Sequence, residues 1–140
     1  MTILIIDAYN VIRNISELAH KEKESLEHGR DALITYLADW RRKGSFNGRI
    51  AAVFDGQDTI ISNMPLKKSG IDIVFSRTDE KADGRIIKMV RSDKNPKSSV
   101  VVTNDIELQN NCKKYGAAVK PVSFLTTQRQ NILSHISITD

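Results

Sequence analysis

A single cysteine, Cys112, leaves no partner for an internal disulfide. Its setting, Leu108-Gln109-Asn110-Asn111-Cys112, reads as helical, so a buried or half-buried thiol is expected, which fits a reducing cytoplasm. No apolar run approaches the roughly 18 residues that a membrane-spanning helix requires. The N-terminal stretch Ile3-Leu4-Ile5-Ile6 stops at Asp7 and reads as a strand, not as a signal peptide. Cysteine and histidine at zinc-ligand spacing are missing as well: His20, His28 and His135 are scattered and read as ordinary surface or helix residues. Internal repeats and low-complexity tracts are absent.

What the 140 residues do provide, at 40% hydrophobic, is one ordinary core, so a single domain over residues 1–140 is expected. The formal net charge of +4 still leaves 17 acidic residues, enough for a local acidic cluster. Basic clusters at Arg41-Arg42-Lys43, Lys67-Lys68 and Lys113-Lys114 suit either phosphate contact or a solvated face. The first of these closes a helix just before Gly44, where cations favour the negative end of the dipole.

Ile3 to Ile6, Ile50 to Phe54, Ile71 to Phe75 and Val100 to Val102 are apolar runs of strand length, which predicts strands buried on both faces. Between the first two, Leu26, Arg30, Leu33, Leu37 and Trp40 recur at helical spacing with one polar interruption. Asp79 and Glu80 precede Ala82, Ile86, Met89 and Val90, the pattern of a helix with an acidic first turn. Asn104 or Asp105 caps a third helix that runs through Leu108 and Cys112 to Gly116, followed by a short strand near Ala117 to Lys120, and Ser123 is placed to cap a last helix. Strands alternating with helices in this way give an α/β fold, a central parallel sheet flanked by helices. Asp58 to Gly70, with Pro65, is the one long irregular stretch and reads as a loop near a site. The ending Ile132 to Asp140 suits either a helix or a late strand.

In open parallel sheets ligands bind beyond the carboxyl ends of the strands. Four of the expected strands end on an acid or lead into one: Asp7, then Asp55, then Asp79, Glu80 and Asp83, then Asp105. Each alone is also a common turn or cap residue. Together they repel, and they stay ionised at neutral pH only where a cation compensates. Mg²⁺ or Mn²⁺ suits hard carboxylate oxygens and activates phosphodiester cleavage. Asn10 and Thr103 are placed to touch a metal-bound water or a phosphate. Arg77, Lys81, Arg85 and Lys88 surround Asp83 and suit substrate backbone, although helix amphipathicity also accounts for them.

Taken in order, Ile5-Ile6-Asp7-Ala8-Tyr9-Asn10-Val11-Ile12, Val53-Phe54-Asp55-Gly56, Phe75-Ser76 with Glu80-Lys81-Ala82-Asp83, and Val101-Val102-Thr103-Asn104-Asp105 resemble the NYN branch of PIN-like nucleases, nearest in flavour to its YacP-like group. The resemblance implies a PIN-like (Rossmann-like) fold, dependence on Mg²⁺ or Mn²⁺, and endoribonuclease activity, a bacterial YacP-like member acting on messenger RNA at the ribosome. Carried over by position, it implies Asp7, Asp83 and Asp105 as the core metal-binding acids, assisted by Asn10, Asp55 and Glu80. Two departures stand out. Lys81 occupies a place where the group usually has a small hydroxyl residue and is placed to pair with an acid, and a longer basic C-terminal part is not seen.

Two other classes share features with this pattern. A receiver-like phospho-acceptor domain matches Asp7, Asp55, Thr103 and Lys120-Pro121, but it requires adjacent acids where Ala8 follows Asp7, and it leaves Asp83 unused. A haloacid-dehalogenase-type phosphatase requires a second Asp where Tyr9 stands. A binding-only RNA module of the same fold is separated from a nuclease by metal-dependent turnover.

Overall fold

Runs of β-branched residues with no polar alternation can be satisfied only by packing on both faces, and the inner strands do so. The structure, a computed structural model, describes residues 2–56, 66–77 and 80–127. Along the chain it forms β1 (Ile3–Asp7), α1 (Ala8–Asn14), α2 (Ser16–Glu24), α3 (Leu26–Gly44), β2 (Arg49–Phe54), β3 (Lys67–Lys68), β4 (Ile71–Phe75), α4 (Ala82–Ser92), β5 (Ser99–Val102), α5 (Ile106–Lys114) and β6 (Ala118–Lys120). The sheet order is β3-β4-β2-β1-β5-β6. Every pairing is parallel except that of β3, a two-residue antiparallel edge on β4. That edge adds one antiparallel pairing to the expected central parallel sheet: Ser69 and Gly70, at φ 53° and 79°, turn the chain back so that Lys67 meets Asp72.

Side chains alternate across each strand, and the alternation divides the core in two. Leu4 and Ile6, Ile50, Ala52 and Phe54, and Val100 and Val102 face a cluster built with Val11, Ile12, Leu18, Leu33, Leu37 and Trp40, so α1, α2 and α3 cover that side. Ile5, Val53 and Val101 face the opposite cluster, with Ile86 and Val90 of α4 and Leu108 and Cys112 of α5. Cys112 is buried as expected, and burial, aided by the charge of Asp7, pushes its thiol up to about 11. It is therefore not a nucleophile at neutral pH. Among the described residues no helix is long and apolar enough to cross a membrane.

Local signals place the helix ends. Ser25 accepts the backbone N–H of His28 at 3.0 Å and starts α3, and Asp105 accepts that of Leu108 at 3.2 Å and starts α5. Gly116, at φ 97°, follows α5 as expected. α3 runs through Gly44 and ends on Ser45, in the left-handed region. The polar interruption Arg30 is buried and donates to the Tyr9 hydroxyl at 3.2 Å. Ser123 caps no α-helix: residues Val122–Leu125 form a 3-10 turn with Ser123 inside it. Asp79, Pro65, His135, the ending Ile132 to Asp140 and most of the loop from Asp58 lie outside the described residues.

Where β2 ends, Gly56 is pressed against the segment that follows β4. Its N–H donates to Ser76 Oγ at 2.8 Å, and a Cβ there would lie 1.7 Å from the Ser76 carbonyl oxygen. That neighbour is backbone and cannot rotate away. Gly56→Ala is therefore expected to cost at least about 2 kcal/mol, read as a lowered denaturation midpoint, and a variant as stable as the parent would contradict this packing.

Candidate active site

From β1 the chain moves outward to β2 and then β4, and it returns to the other side of β1 for β5, so a topological switch point lies between β1 and β5. Parallel register aligns the carboxyl ends: Asp7 is level with Val53, Ile6 with Val102, and Phe54 with Phe75. Asp7 ends β1 and Asp105 starts the helix after β5, which puts these two acids on either side of the switch.

A chain of hydrogen bonds fixes their relation. Thr103, fully buried, donates its hydroxyl to Asp7 Oδ2 at 2.8 Å, while its Oγ1 accepts the backbone N–H of Asp105 at 3.0 Å. Gln109 Nε2 holds the Thr103 carbonyl at 2.6 Å. Asn10 Oδ1 accepts the N–H of Asn104 at 2.8 Å, and Asn104 Oδ1 accepts that of Val122 at 2.8 Å. The turn after β5 is thus tied to α1 on one side and to the segment after β6 on the other.

Burial pushes the Asp7 carboxyl up to about 6; the Thr103 hydroxyl opposes this, the charges of Asp105 and Asp83 push further upward, and Arg13 opposes them. The carboxylates are therefore close enough to feel one another through a partly desolvated medium. Among the described residues, however, no three His, Cys, Asp or Glu side chains converge tightly enough to enclose a metal ion by themselves.

An open cleft of about 720 Å³ lies over this edge, lined by Asp7, Tyr9, Asn10, Arg13, Asn14, Leu26, Asp55, Lys81, Ala82, Asp83 and Asp105. Of the residues singled out in the sequence, Asp7, Asn10, Asp55, Lys81, Asp83 and Asp105 come together here. Asp83, which a phospho-acceptor chemistry would leave idle, is among them. Lys81, which was placed to pair with an acid, forms no ion pair with these acids among the described residues. Thr103 lies beneath the cleft and acts on Asp7, so it is not exposed to a ligand. Glu80 is turned elsewhere: Oε1 accepts the N–H of Arg77 at 3.0 Å and Oε2 accepts Lys88 Nζ at 2.8 Å, which holds its carboxyl below the usual range. Arg77 and Arg85 do not line the cleft, and the Arg85 Nε is buried without a hydrogen-bond partner among the described residues.

Tyr9, Arg13, Asn14 and Leu26 were not anticipated. Tyr9 packs edge-on to Phe54 at 5.5 Å, and the Arg13 guanidinium carbon lies 5.3 Å from the Tyr9 ring centroid. Tyr9, Asn10, Arg13 and Asn14 sit at the i, i+1, i+4 and i+5 positions of one helical face, a signal visible once α1 is recognised. Leu26, at 46% exposure, belongs to the apolar spacing of α3 but faces the cleft and not the core.

Comparison with known proteins gives a consistent result. A family model described as the YacP-like NYN domain matches residues 4–137. An uncharacterized protein YacP of Bacillus subtilis is 30% identical over 109 residues, covering 75% of this chain, which spans 61% of that protein's length. Crystal structures of Rae1 (YacP) from Bacillus subtilis superpose with TM-scores of 0.76, for a mutant, and 0.73, at 27% and 25% identity; each alignment covers 99% of this chain, and 80% and 79% of theirs.

The raised Asp7 has a stability consequence. Its folded pKa of about 6 exceeds the ordinary 3.8, so its contribution to stability is fully present below pH 3.8 and is lost as pH rises through 6. A displacement of that size corresponds to roughly 3 kcal/mol. Asp7→Asn, which keeps an acceptor for Thr103, is expected to be more stable than the parent at about pH 8 without divalent cations, with the gap closing towards about pH 4. Chemical denaturation at the two pH values checks this, and an Asn variant that is less stable at the higher pH would contradict the burial of an ionised carboxylate.

Proposed function

The chain belongs to the YacP-like NYN domain family, a nuclease-type family, and from that premise we propose that it is a metal-dependent endoribonuclease whose cleft holds Mg²⁺ or Mn²⁺ on Asp7, Asp83 and Asp105. The observation that carries this reading is the meeting of four strand-end aspartates in one open cleft, with Asp7 pushed towards protonation by burial and, further, by the charges of Asp105 and Asp83. A divalent cation relieves that strain, and carboxylate oxygens are its natural donors. An ion such as Mg²⁺ keeps waters and takes substrate phosphate as a ligand, so it does not require a closed cage of three acids.

When bound, the ion supplies a Lewis acid at the phosphodiester and activates water. The protein's own groups do the rest. Thr103 and Gln109 orient Asp7 and keep it ionised at lower pH than burial alone would allow. Asn10, whose carbonyl is taken by Asn104, presents its amide N–H groups to the cleft as donors for a phosphate oxygen or a metal-bound water. Lys81 and Arg13 place positive charge at the rim, where a phosphate backbone enters. Tyr9 and Leu26 offer an apolar wall for a base or ribose. Asp55 lines the cleft as an assisting acid, whereas Glu80, held by Lys88, is not part of this arrangement. Messenger RNA on the ribosome, in the cytoplasm, is the setting that the family resemblance implies.

The direct test incubates the purified protein with single-stranded RNA and Mn²⁺ or Mg²⁺, with EDTA, and with Asp7→Asn and Asp83→Asn. Cleavage is expected to require metal and to fall by at least about a hundredfold in each variant, with the fold retained by circular dichroism. Cleavage that persists in EDTA, or in both variants, excludes the mechanism, and RNA retention without turnover would favour a binding-only module.

Thr103→Val separates positioning from structure. Losing the hydroxyl removes an influence that lowers the Asp7 pKa, so the acidic limb of the pH–rate profile is expected to move upward, with the largest loss near about pH 6 and partial recovery near about pH 8. A uniform loss at all pH values would show that Thr103 does not act through Asp7.

A further inference from the structure

Two of the three basic clusters have structural partners. Arg41 donates to the carbonyls of Gly70 and Gly48, Arg42 and Lys43 pair with Asp39, Lys67 pairs with Asp72, and Lys68 pairs with Asp31. The third does not. Lys113 and Lys114, at the end of α5, are exposed and form no ion pair among the described residues, and the same holds for Arg91, Lys94 and Lys97.

These five cations are carried by two segments that touch and form one face. The Arg91 guanidinium carbon sits 5.2 Å from the ring centroid of Tyr115, and a Cβ on Gly116 would lie 3.4 Å from Pro96 Cβ, so segments 91–98 and 113–116 are in contact. The one acid within them, Asp93, spends its carboxylate on the Asn95 N–H at 2.9 Å and the Ser99 hydroxyl at 3.0 Å. Five cations against that acid leave a local excess of four, equal to the formal net charge of the whole chain, +4. Helix-end electrostatics suit Arg91, Lys113 and Lys114, whereas Lys94 lies outside any helix. An unpaired cluster of like charge costs free energy unless a polyanion meets it.

α4 and α5 carry Asp83 and Asp105 at their starts and end at this face, a helix length of roughly 15 Å from the cleft. Within this face is an exposed aromatic ring, Tyr115, with the Arg91 guanidinium over it. Lysines that meet phosphates around a planar stacking surface form the pattern of single-strand recognition. The other exposed large apolar residues among those described, Leu26, Leu66 and Ile106, belong to other segments, so Tyr115 is the apolar surface that this face offers.

We infer that this face is a second RNA contact, remote from the cleft, which takes the phosphates of a single-stranded stretch flanking the cleaved segment and stacks a base on Tyr115. The identity of the polyanion rests on the proposed nuclease reading, but the test does not depend on turnover. Fluorescence anisotropy in EDTA would compare labelled RNAs of about 5 and about 20 nucleotides on the parent, on a Lys97→Ala, Lys113→Ala, Lys114→Ala triple variant, and on Tyr115→Ala and Tyr115→Phe, with folding followed by thermal melting. The triple variant is expected to bind the longer RNA at least about tenfold more weakly and to flatten its log–log salt slope by about 2. It should leave the affinity for the short RNA, and any cleavage of it, unchanged. Tyr115→Ala should weaken binding of the longer RNA and Tyr115→Phe should restore it. Unchanged affinity and slope in a folded triple variant overturn the inference, and so does an equal loss of binding to polyglutamate with no effect of Tyr115→Ala. Patch-dependent binding without any cleavage by the parent would support this contact while counting against the nuclease.

Discussion

Asp7 is held by the fold where a carboxylate does not want to be, half-buried at the end of a central strand, with Asp105 and Asp83 near enough to add to its difficulty. The hydrogen bond from Thr103 eases that situation without removing it. Much of the surrounding structure keeps the arrangement in place. Thr103 is fixed by Gln109, its neighbour Asn104 is fixed by Asn10 and Val122, and Asp105 doubles as the cap of α5. An acid that costs stability once ionised is the kind of group that recurs at functional sites, since packing alone favours an apolar residue or an amide there.

The sheet supplies the geometry. Because β1 is flanked by β2 on one side and β5 on the other, and because both pairings are parallel, their carboxyl ends cannot slip relative to one another without exposing Leu4, Ile6 or Val101. α4 and α5 then do two things with one orientation. Their starts bring Asp83 and Asp105 to the cleft, and their ends gather the unpaired cations at the far edge. Both helices thus start on an aspartate and end among cations, an arrangement that overall charge does not reveal.

Much of this was legible from the sequence, for a physical reason: strands buried on both faces must be continuously apolar, and β1, β2, β4 and β5 stand out because nothing else in the chain looks like them. The strand-end aspartates follow once the strands are set. α1 and α2 were not legible as separate helices. α2 buries only Leu18, so it has no apolar stripe to read, and α1 is seven residues of which Val11 and Ile12 are poor helix formers. With α1 unseen, Tyr9, Arg13 and Asn14 had no shared face. Glu80 sits in the same acidic run as Asp83, and the Arg77 N–H and Lys88 that hold it separate the two. The role of Thr103 depends on a contact between residues 96 positions apart, which no local pattern encodes.

The central claim is that crowded carboxylates at this edge await a divalent cation. Following the Asp7 carboxyl carbon by nuclear magnetic resonance through a pH titration, without and with Mg²⁺, addresses it directly. The account predicts a midpoint at about 6 in the metal-free protein and a fall of at least about one pH unit when Mg²⁺ is added. An Asp7 that titrates in the ordinary carboxylate range without metal, or whose midpoint Mg²⁺ leaves unmoved, would contradict it.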